Sequence, residues 1–84
     1  MYSVYIIECK DGRLYTGIAR DAETRFGLHV AGRGARFTRA NKPVRVVYQE
    51  QKRTRSSALK REYAIKQLTR GEKLTMIRLA KPSR

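Results

Sequence analysis

The amino-acid sequence predicts an α+β fold in which a small three-stranded antiparallel sheet is flanked by helices, in the order ββαβαα. Three short segments rich in β-branched and aromatic residues indicate the strands. Three longer segments with capping residues or helical periodicity indicate the helices. A chain of 84 residues has room for one hydrophobic core, so we expect a single domain over residues 1–84.

The first two strands, residues 2–8 and 13–18, are expected to form a hairpin. The Asp-Gly pair between them is typical of a tight turn. Two loops are compatible with it: a two-residue turn, or a three-residue loop that ends in a left-handed Gly12 and forms a bulge. We favour the three-residue loop, because it leaves one mainly aliphatic face for the core. That face consists of Val4, Ile6, Leu14, Thr16 and Ile18.

The choice of loop decides how two tyrosines are related. With the three-residue loop, Tyr5 pairs with Gly17 and Ile7 pairs with Tyr15, so the tyrosines are diagonal neighbours on one face. With the two-residue turn they lie on opposite faces. Gly17 beside Tyr5 leaves room for a substrate to approach the backbone. The alternative is that both tyrosines are ordinary amphipathic strand residues.

The first helix is expected to begin after Asp21, whose side chain can cap it, and to end at about Ala31 before Gly32. Arg25 and His29 are four residues apart and share one face of this helix. His29 falls at the edge of the apolar stripe. There it either packs with a satisfied hydrogen bond or takes part in chemistry.

The next segment, residues 32–43, is expected to be a polar loop with a cation at every third position. Such a loop can follow a nucleic-acid backbone through its cations and stack an aromatic ring on one base. The residues that we expect to bind nucleic acid are Arg33, Arg36, Phe37, Arg39, Lys42 and, further along, Lys66.

The third strand is expected over residues 44–50, and two helices follow it. The period of two places three side chains of this strand on one face: Val44, Val46 and Tyr48. The first of the two helices spans about residues 56–68. The last helix begins at Thr69, whose spacing to Glu72 is that of a capping box, and ends at about residue 79.

Glu62 lies on the apolar stripe of the helix over residues 56–68. A carboxylate there needs a partner, because burying an isolated charge is unfavourable. Two kinds of partner remain open: a cationic side chain, either Lys66 four residues later or a nearby arginine, and a hard divalent cation. We identify no cluster of acidic residues of the kind that binds two metal ions, so a catalytic metal would be one ion held by one carboxylate.

The chain is strongly basic, with 20 Lys and Arg against 7 Asp and Glu and a formal charge of +13. This excess indicates a polyanionic partner, which relieves self-repulsion and releases counterions as it binds. Composition does not decide between a binding module and an enzyme that acts on the polyanion. The single cysteine excludes an internal disulfide, and no signal peptide or apolar span is evident, so we expect a cytoplasmic protein without a membrane partner.

Several of these residues together resemble the motifs of the GIY-YIG nuclease superfamily. Val4-Tyr5-Ile6 and, ten residues after Tyr5, Tyr15-Thr16-Gly17 are similar to its two signatures. Arg25-x-x-x-His29 matches its helix motif, and Glu62 matches its metal-binding glutamate. The residues between these motifs are similar to its small single-domain, UPF0213-like branch. The first signature differs from Gly-Ile-Tyr, and the asparagine that often follows the glutamate is absent.

The resemblance implies a GIY-YIG-like fold and a DNA endonuclease that uses one Mg²⁺ or Mn²⁺ ion. In the roles that it implies, Tyr5 is the general base or orients the attacking water, and Tyr15 holds that water. Arg25 stabilises the charge on the phosphate oxygens, His29 accepts the proton, and Glu62 binds the metal. Arg25 and the metal are expected to lower the pKa of the Tyr5 phenol.

The expected substrate is DNA, with single-stranded or branched DNA preferred over intact duplex, because the basic loop resembles a single-strand footprint. No obligate protein partner is evident. The alternative function is that of a non-catalytic basic nucleic-acid-binding module, either an inactive relative or an architectural protein.

Overall fold

The computed structural model describes residues 1–80 and contains the three strands and three helices that the sequence predicts, in the predicted order, with one addition. The addition is a five-residue helix inside the segment expected to be a loop. The elements are β1 Tyr2–Cys9, β2 Leu14–Ala19, α1 Ala22–Val30, α2 Arg36–Ala40 (the added helix), β3 Pro43–Lys52, α3 Arg55–Lys66 and α4 Arg70–Ala80.

The hairpin of β1 and β2 has the three-residue loop that the sequence analysis favoured. Tyr5 pairs with Gly17 and Ile7 pairs with Tyr15. The loop closes with a backbone hydrogen bond of 2.8 Å from the amide of Cys9 to the carbonyl of Arg13. Gly12 has φ +90°, a conformation that residues with a side chain rarely adopt. The expected register is therefore confirmed.

β1 is the central strand, in the order β2-β1-β3, and both of its neighbours are antiparallel to it. On one face, Val4 and Ile6 pack against Ala58 and Ile65 of α3. On the other face, Tyr5, Ile7 and Cys9 pack with Ala22 of α1 in a second buried cluster, with Phe37 of α2 at its border. The sequence predicts one core face, whereas helices cover both faces of β1.

β3 departs from the predicted alternation. Ile6 pairs with Tyr48 and Ile7 pairs with Val46, so the register shifts by one residue between them. As a result, Val46 packs with the Tyr5 cluster, Tyr48 packs with the Val4 cluster, and Val44 is 53% exposed. The prediction that Val44, Val46 and Tyr48 share one face was wrong, because an irregularity that adds a residue to one strand reverses the faces beyond it.

The predicted helix caps are present. The Asp21 carboxylate accepts hydrogen bonds from the amides of Glu23 and Thr24 at the start of α1. Thr69 and Glu72 form the reciprocal bonds of a capping box before α4. α3 begins slightly earlier than expected, because Thr54 caps it and forms its own capping box with Ser57.

A cluster of hydrogen bonds around Glu50 joins β3 to α3. The Glu50 carboxylate accepts from Arg61 Nε at 3.0 Å, from the Tyr48 hydroxyl, and from Lys52 Nζ at 2.9 Å. Burial alone would raise the pKa of Glu50, but the hydrogen bonds from Tyr48, Lys52 and Arg61 lower it to about 2. Through Arg61, this cluster attaches to β3 the same helix that carries Glu62.

Glu50→Gln is expected to lower the free energy of unfolding by about 2 kcal/mol at pH 7, a value reduced for the partial exposure of the carboxylate. The pKa of Glu50 is lowered, so its stabilisation is complete above the unfolded pKa of 4.5 and is lost as the pH falls towards about 2. Urea unfolding at pH 7 and pH 3 measures this change. We expect the difference between the two proteins to be roughly halved at pH 3.

The matched control is Glu8→Gln, which breaks the more exposed ion pair between Glu8 and Arg45. Exposed pairs contribute little, so this variant should unfold within about 0.5 kcal/mol of the unmodified protein. Equal losses from the two substitutions would contradict the proposed importance of the Glu50 cluster.

Candidate active site

The ring of Tyr5 lies across β2 at the position of Gly17. A Cβ atom at residue 17 would lie 2.7 Å from the Tyr5 hydroxyl oxygen and 3.1 Å from the Tyr15 ring. Residue 17 must therefore be glycine for the two tyrosines to occupy this face together. The prediction that Gly17 leaves space for a substrate was wrong in one respect, because the Tyr5 side chain fills that space.

A chain of hydrogen bonds connects β1, α1 and α2. The Tyr5 hydroxyl lies 3.1 Å from His29 Nε2, and His29 Nδ1 is hydrogen-bonded to Thr38 Oγ1. The Thr38 hydroxyl donates its own proton to the carbonyl of Ala35 at 3.0 Å. Thr38 Oγ1 must then accept from Nδ1–H, which leaves Nε2 as the acceptor for the Tyr5 phenol. We therefore assign a proton to Nδ1 of a neutral His29.

The three side chains of this chain, Tyr5, His29 and Thr38, are each 1% exposed. Aromatic rings surround them. The Tyr15 ring lies edge-on to His29 at 5.2 Å between centroids and stacks on Phe37 at 5.8 Å. The short helix α2 thus covers this face of the sheet, and Phe37 and Thr38 are the two residues that attach it.

Gly34 allows the backbone before α2 to pass directly against His29. A Cβ atom at residue 34 would lie 2.1 Å from His29 Nδ1, far inside the van der Waals distance. Neither Gly34 nor Thr38 was predicted as a site residue. Their role is hard to predict from the sequence, since both lie in a polar, glycine-containing segment that is typical of a loop.

The burial of this pair sets its protonation state. Burial, together with the neighbouring Tyr15 and the charge of Glu62, raises the pKa of Tyr5 to about 12, although Arg25 acts in the opposite direction. Burial and the charge of Arg25 lower the pKa of His29. Arg25 lowers the pKa of Tyr5 in the expected direction, but burial outweighs this effect in the free protein. At neutral pH the pair is a phenol that donates to a neutral imidazole.

Two charged residues influence the pKa of the Tyr5 phenol in opposite directions. Arg25 of α1 lowers it, and Glu62 of α3 raises it. Arg25 is half-buried and lines a groove of about 250 Å³ between the end of β2 and α1. The Glu62 side chain is 18% exposed and lies 3.3 Å from Lys66 Nζ. Of the two kinds of partner left open for Glu62, the structure shows the cationic side chain, Lys66.

The donor set near Glu62 limits how a metal could bind. Within residues 1–80, no group of three or more His, Cys, Asp or Glu side chains is arranged to hold an ion. Mg²⁺ is often bound by one or two carboxylates together with water and substrate phosphate oxygens. The residues present fit an ion in that manner, with Glu62 as the protein ligand.

The predicted nucleic-acid-binding cations lie on the surface around α2. Arg33, Arg36, Arg39 and Lys42 are exposed. Arg36 and Arg39 project from α2 itself, three residues apart, rather than from a loop. Phe37 is half-buried with one face on Tyr15, and Lys66 is paired with Glu62.

Comparison with known proteins agrees with this geometry. Residues 1–75 match the family model described as the GIY-YIG catalytic domain. The chain belongs to the GIY-YIG family. This family consists of nucleases, and the five residues expected from its motifs are the two tyrosines, Arg25, His29 and Glu62 described above.

Individual relatives indicate the branch of the family to which the chain is most similar. UPF0213 proteins of Staphylococcus aureus strains Mu3 and Mu50 are each 52% identical to this chain over 75 residues, which cover 89% of this chain and 92% of theirs. The solution NMR structure of a UPF0213 protein from Bacillus halodurans superposes with a TM-score of 0.61 at 38% identity, over 95% of this chain and 86% of that chain. The predicted fold class and branch are confirmed.

Gly34→Ala is expected to destabilise this GIY-YIG domain by about 1–3 kcal/mol, because the added methyl group displaces His29. Loss of burial should also raise the pKa of His29 towards its usual value. Thermal unfolding and an NMR titration of the imidazole measure the two effects.

Gly27→Ala in α1 is the control, since a Cβ atom there meets nothing within 4 Å. It should stabilise the protein by about 0.5–1 kcal/mol, because alanine is the better helix former. An unchanged imidazole titration in Gly34→Ala would show that residue 34 does not position His29.

Proposed function

We propose that this chain is a divalent-metal-dependent endonuclease that hydrolyses phosphodiester bonds in DNA, within a single domain over residues 1–84. The observation that carries the proposal is the directed hydrogen-bond chain from Tyr5 through His29 to Thr38. Both ring nitrogens of His29 have defined partners, and the accepting nitrogen, Nε2, faces the Tyr5 phenol. Two further candidate site residues influence the pKa of that phenol: Arg25 lowers it and Glu62 raises it.

The charge of the chain supports a nucleic-acid substrate. The net charge is +13, and the exposed cations on and around α2 adjoin the face that contains Tyr15 and His29. The preference for single-stranded or branched DNA remains part of the proposal. A mixed aromatic and cationic surface binds flexible strands through stacking and phosphate contacts.

In the proposed reaction, Arg25 is the first group to meet the phosphate. It is half-buried at the border of an open groove, and its guanidinium matches the oxygens of a phosphate. In the free protein Arg25 lowers the pKa of the Tyr5 phenol, which is 1% exposed. In the proposed reaction, the movement of Arg25 onto the phosphate opens the Tyr5 oxygen to the attacking water, which Tyr15 helps to hold.

Tyr5 and His29 then remove one proton from the water. As the water oxygen forms its bond to phosphorus, the bond between phosphorus and the leaving strand oxygen breaks, and that oxygen takes a proton from solvent. The proton of the attacking water passes to the Tyr5 oxygen, and the Tyr5 proton passes to His29 Nε2. His29 becomes an imidazolium, whose Nδ1–H remains bonded to Thr38. The negative charge of the phosphate favours this step, because it offsets the burial that lowers the pKa of the free imidazole.

Glu62 would hold the divalent ion. To do so, its carboxylate would have to leave its ion pair with Lys66. Mg²⁺ or Mn²⁺ bound there would supply positive charge to stabilise the transition state. The alternative of a non-catalytic nucleic-acid-binding module is favoured by the same ion pair and by the covered phenol. The two functions differ in whether Glu62 is needed for more than binding.

Cleavage of labelled single-stranded, flapped and duplex oligonucleotides with Mg²⁺ or Mn²⁺ tests the proposal. We expect cleavage that EDTA abolishes, with the duplex cut most slowly. Tyr5→Phe, Arg25→Ala and Glu62→Ala should each lower the rate by about 100-fold or more, because each removes a group that acts in the transition state. DNA binding by Glu62→Ala should persist, as measured by fluorescence anisotropy.

No cleavage of any substrate, with DNA binding intact, would instead support the binding module. Faster cutting of plain duplex than of single strands would overturn the substrate preference alone.

Thr38→Val is expected to lower kcat/KM by about 10–100-fold, because valine cannot accept the Nδ1 proton that holds the tautomer of His29. In the unmodified protein the acidic limb of kcat/KM should lie below pH 6.5, since the pKa of His29 is lowered. Nε2 of His29 therefore stays unprotonated, and able to accept a proton, down to a lower pH. Thr38→Val should move that limb, whereas Thr38→Ser, which retains the hydroxyl, should not. Identical pH profiles for all three proteins would exclude the positioning role.

A further inference from the structure

A small cleft lies beside the outer edge of β2, next to the hairpin loop. Its volume is about 240 Å³, and it is lined by Arg13, Leu14, Phe37, Arg70 and Lys73. Leu14 and Phe37 provide apolar walls, and the other three residues are cations. This volume is below the roughly 300–1,000 Å³ of pockets for drug-sized ligands, so the occupant would be about as large as one ring system.

Two of the cations are held in place by the hairpin loop. Arg70 donates a hydrogen bond to the carbonyl of Gly12 through Nη1. Arg13 pairs with Asp11 at 3.1 Å. Lys73, one turn into α4, has no ion-pair partner among residues 1–80 and is half-buried. Within that part of the chain, its ammonium group has no charged partner at the cleft, where it lies next to apolar walls.

Phe37 connects this cleft to the candidate active site. One side of its ring stacks on Tyr15, which in turn contacts His29. The same ring lines the cleft. A strand whose scissile phosphate lies at Arg25 and Tyr15 would thus have a neighbouring nucleotide at the cleft.

We infer that the cleft is a nucleotide subsite that holds one unstacked base of a single-stranded flank and the phosphate beside it. The base lies against Phe37 and Leu14, and the phosphate binds Lys73 with Arg70 and Arg13 at the rim. A base paired in duplex DNA cannot enter, because its faces are covered by its neighbours. The inference rests on the proposed function and adds a reason for the preference for unpaired DNA.

Binding is tested with EDTA present, so that no cleavage is required. The probe is a single-stranded oligonucleotide with 2-aminopurine at one position, moved along the strand in a series of otherwise identical oligonucleotides. At one position the fluorescence should fall on binding, because the ring stacks on Phe37. Phe37→Leu, which keeps an apolar side chain against Tyr15, should restore that fluorescence. An abasic nucleotide there should weaken binding to the unmodified protein but not to Phe37→Leu.

Lys73→Gln tests the phosphate contact, with Arg78→Gln as the control that removes one positive charge from the exposed part of the same helix. One lost contact to a single strand reduces the salt slope by about 0.7, which is about fivefold in affinity at 0.1 M salt. Arg78→Gln should change affinity by less than about twofold. Circular dichroism and thermal unfolding check that each variant is folded.

Equal effects of Lys73→Gln and Arg78→Gln, or quenching that Phe37→Leu leaves unchanged, would overturn the subsite. These outcomes are independent of catalysis. If the subsite signals are present but Mg²⁺ or Mn²⁺ produces no cleavage, the nuclease proposal fails and the nucleotide subsite remains. If cleavage occurs but the subsite signals are absent, the nuclease proposal stands and the nucleotide subsite is ruled out.

Discussion

The Tyr5 phenol meets the His29 imidazole where the central strand packs against α1, and much of the surrounding sequence is constrained by that contact. Glycine is required at residue 17 because the Tyr5 ring lies there, and at residue 34 because the imidazole lies there. Thr38 satisfies the second nitrogen of the imidazole. A buried polar pair of this kind is favourable only when all its hydrogen-bonding groups have partners, which explains why α2 is folded over it.

Burial gives this pair a defined resting state. The same enclosure raises the pKa of the phenol and lowers that of the imidazole, so neither group carries a charge at neutral pH. An uncharged pair costs less to bury than an ion pair would. An approaching phosphate can change the pKa values of both groups, because its negative charge adds to the effects of burial and of Arg25. The pair is consequently uncharged as long as no anion is bound.

Features encoded by neighbouring residues were predictable from the sequence, and features that depend on distant contacts were not. Gly12 and Asp21 indicated the hairpin loop and the first helix cap through local backbone chemistry. The helix α2 was missed because its five residues are too few to show periodicity and it is held through Phe37 and Thr38 by other elements. The irregularity in β3 depends on its pairing with β1. The family motifs predicted Arg25 and the other candidate site residues, but not the burial that determines the protonation of Tyr5 and His29.

β1 pairs with strands that lie at very different distances along the chain. Ile6 faces Thr16 across the hairpin and Tyr48 on its other side. The hairpin closes a short loop, whereas the pairing with β3 must close one of roughly 40 residues, which costs more chain entropy and is slower. α1 packs against β3 as well as β1. During synthesis, therefore, the hairpin can form before β3 is available, and the packing of α1 against β3 follows only after the third strand has left the ribosome.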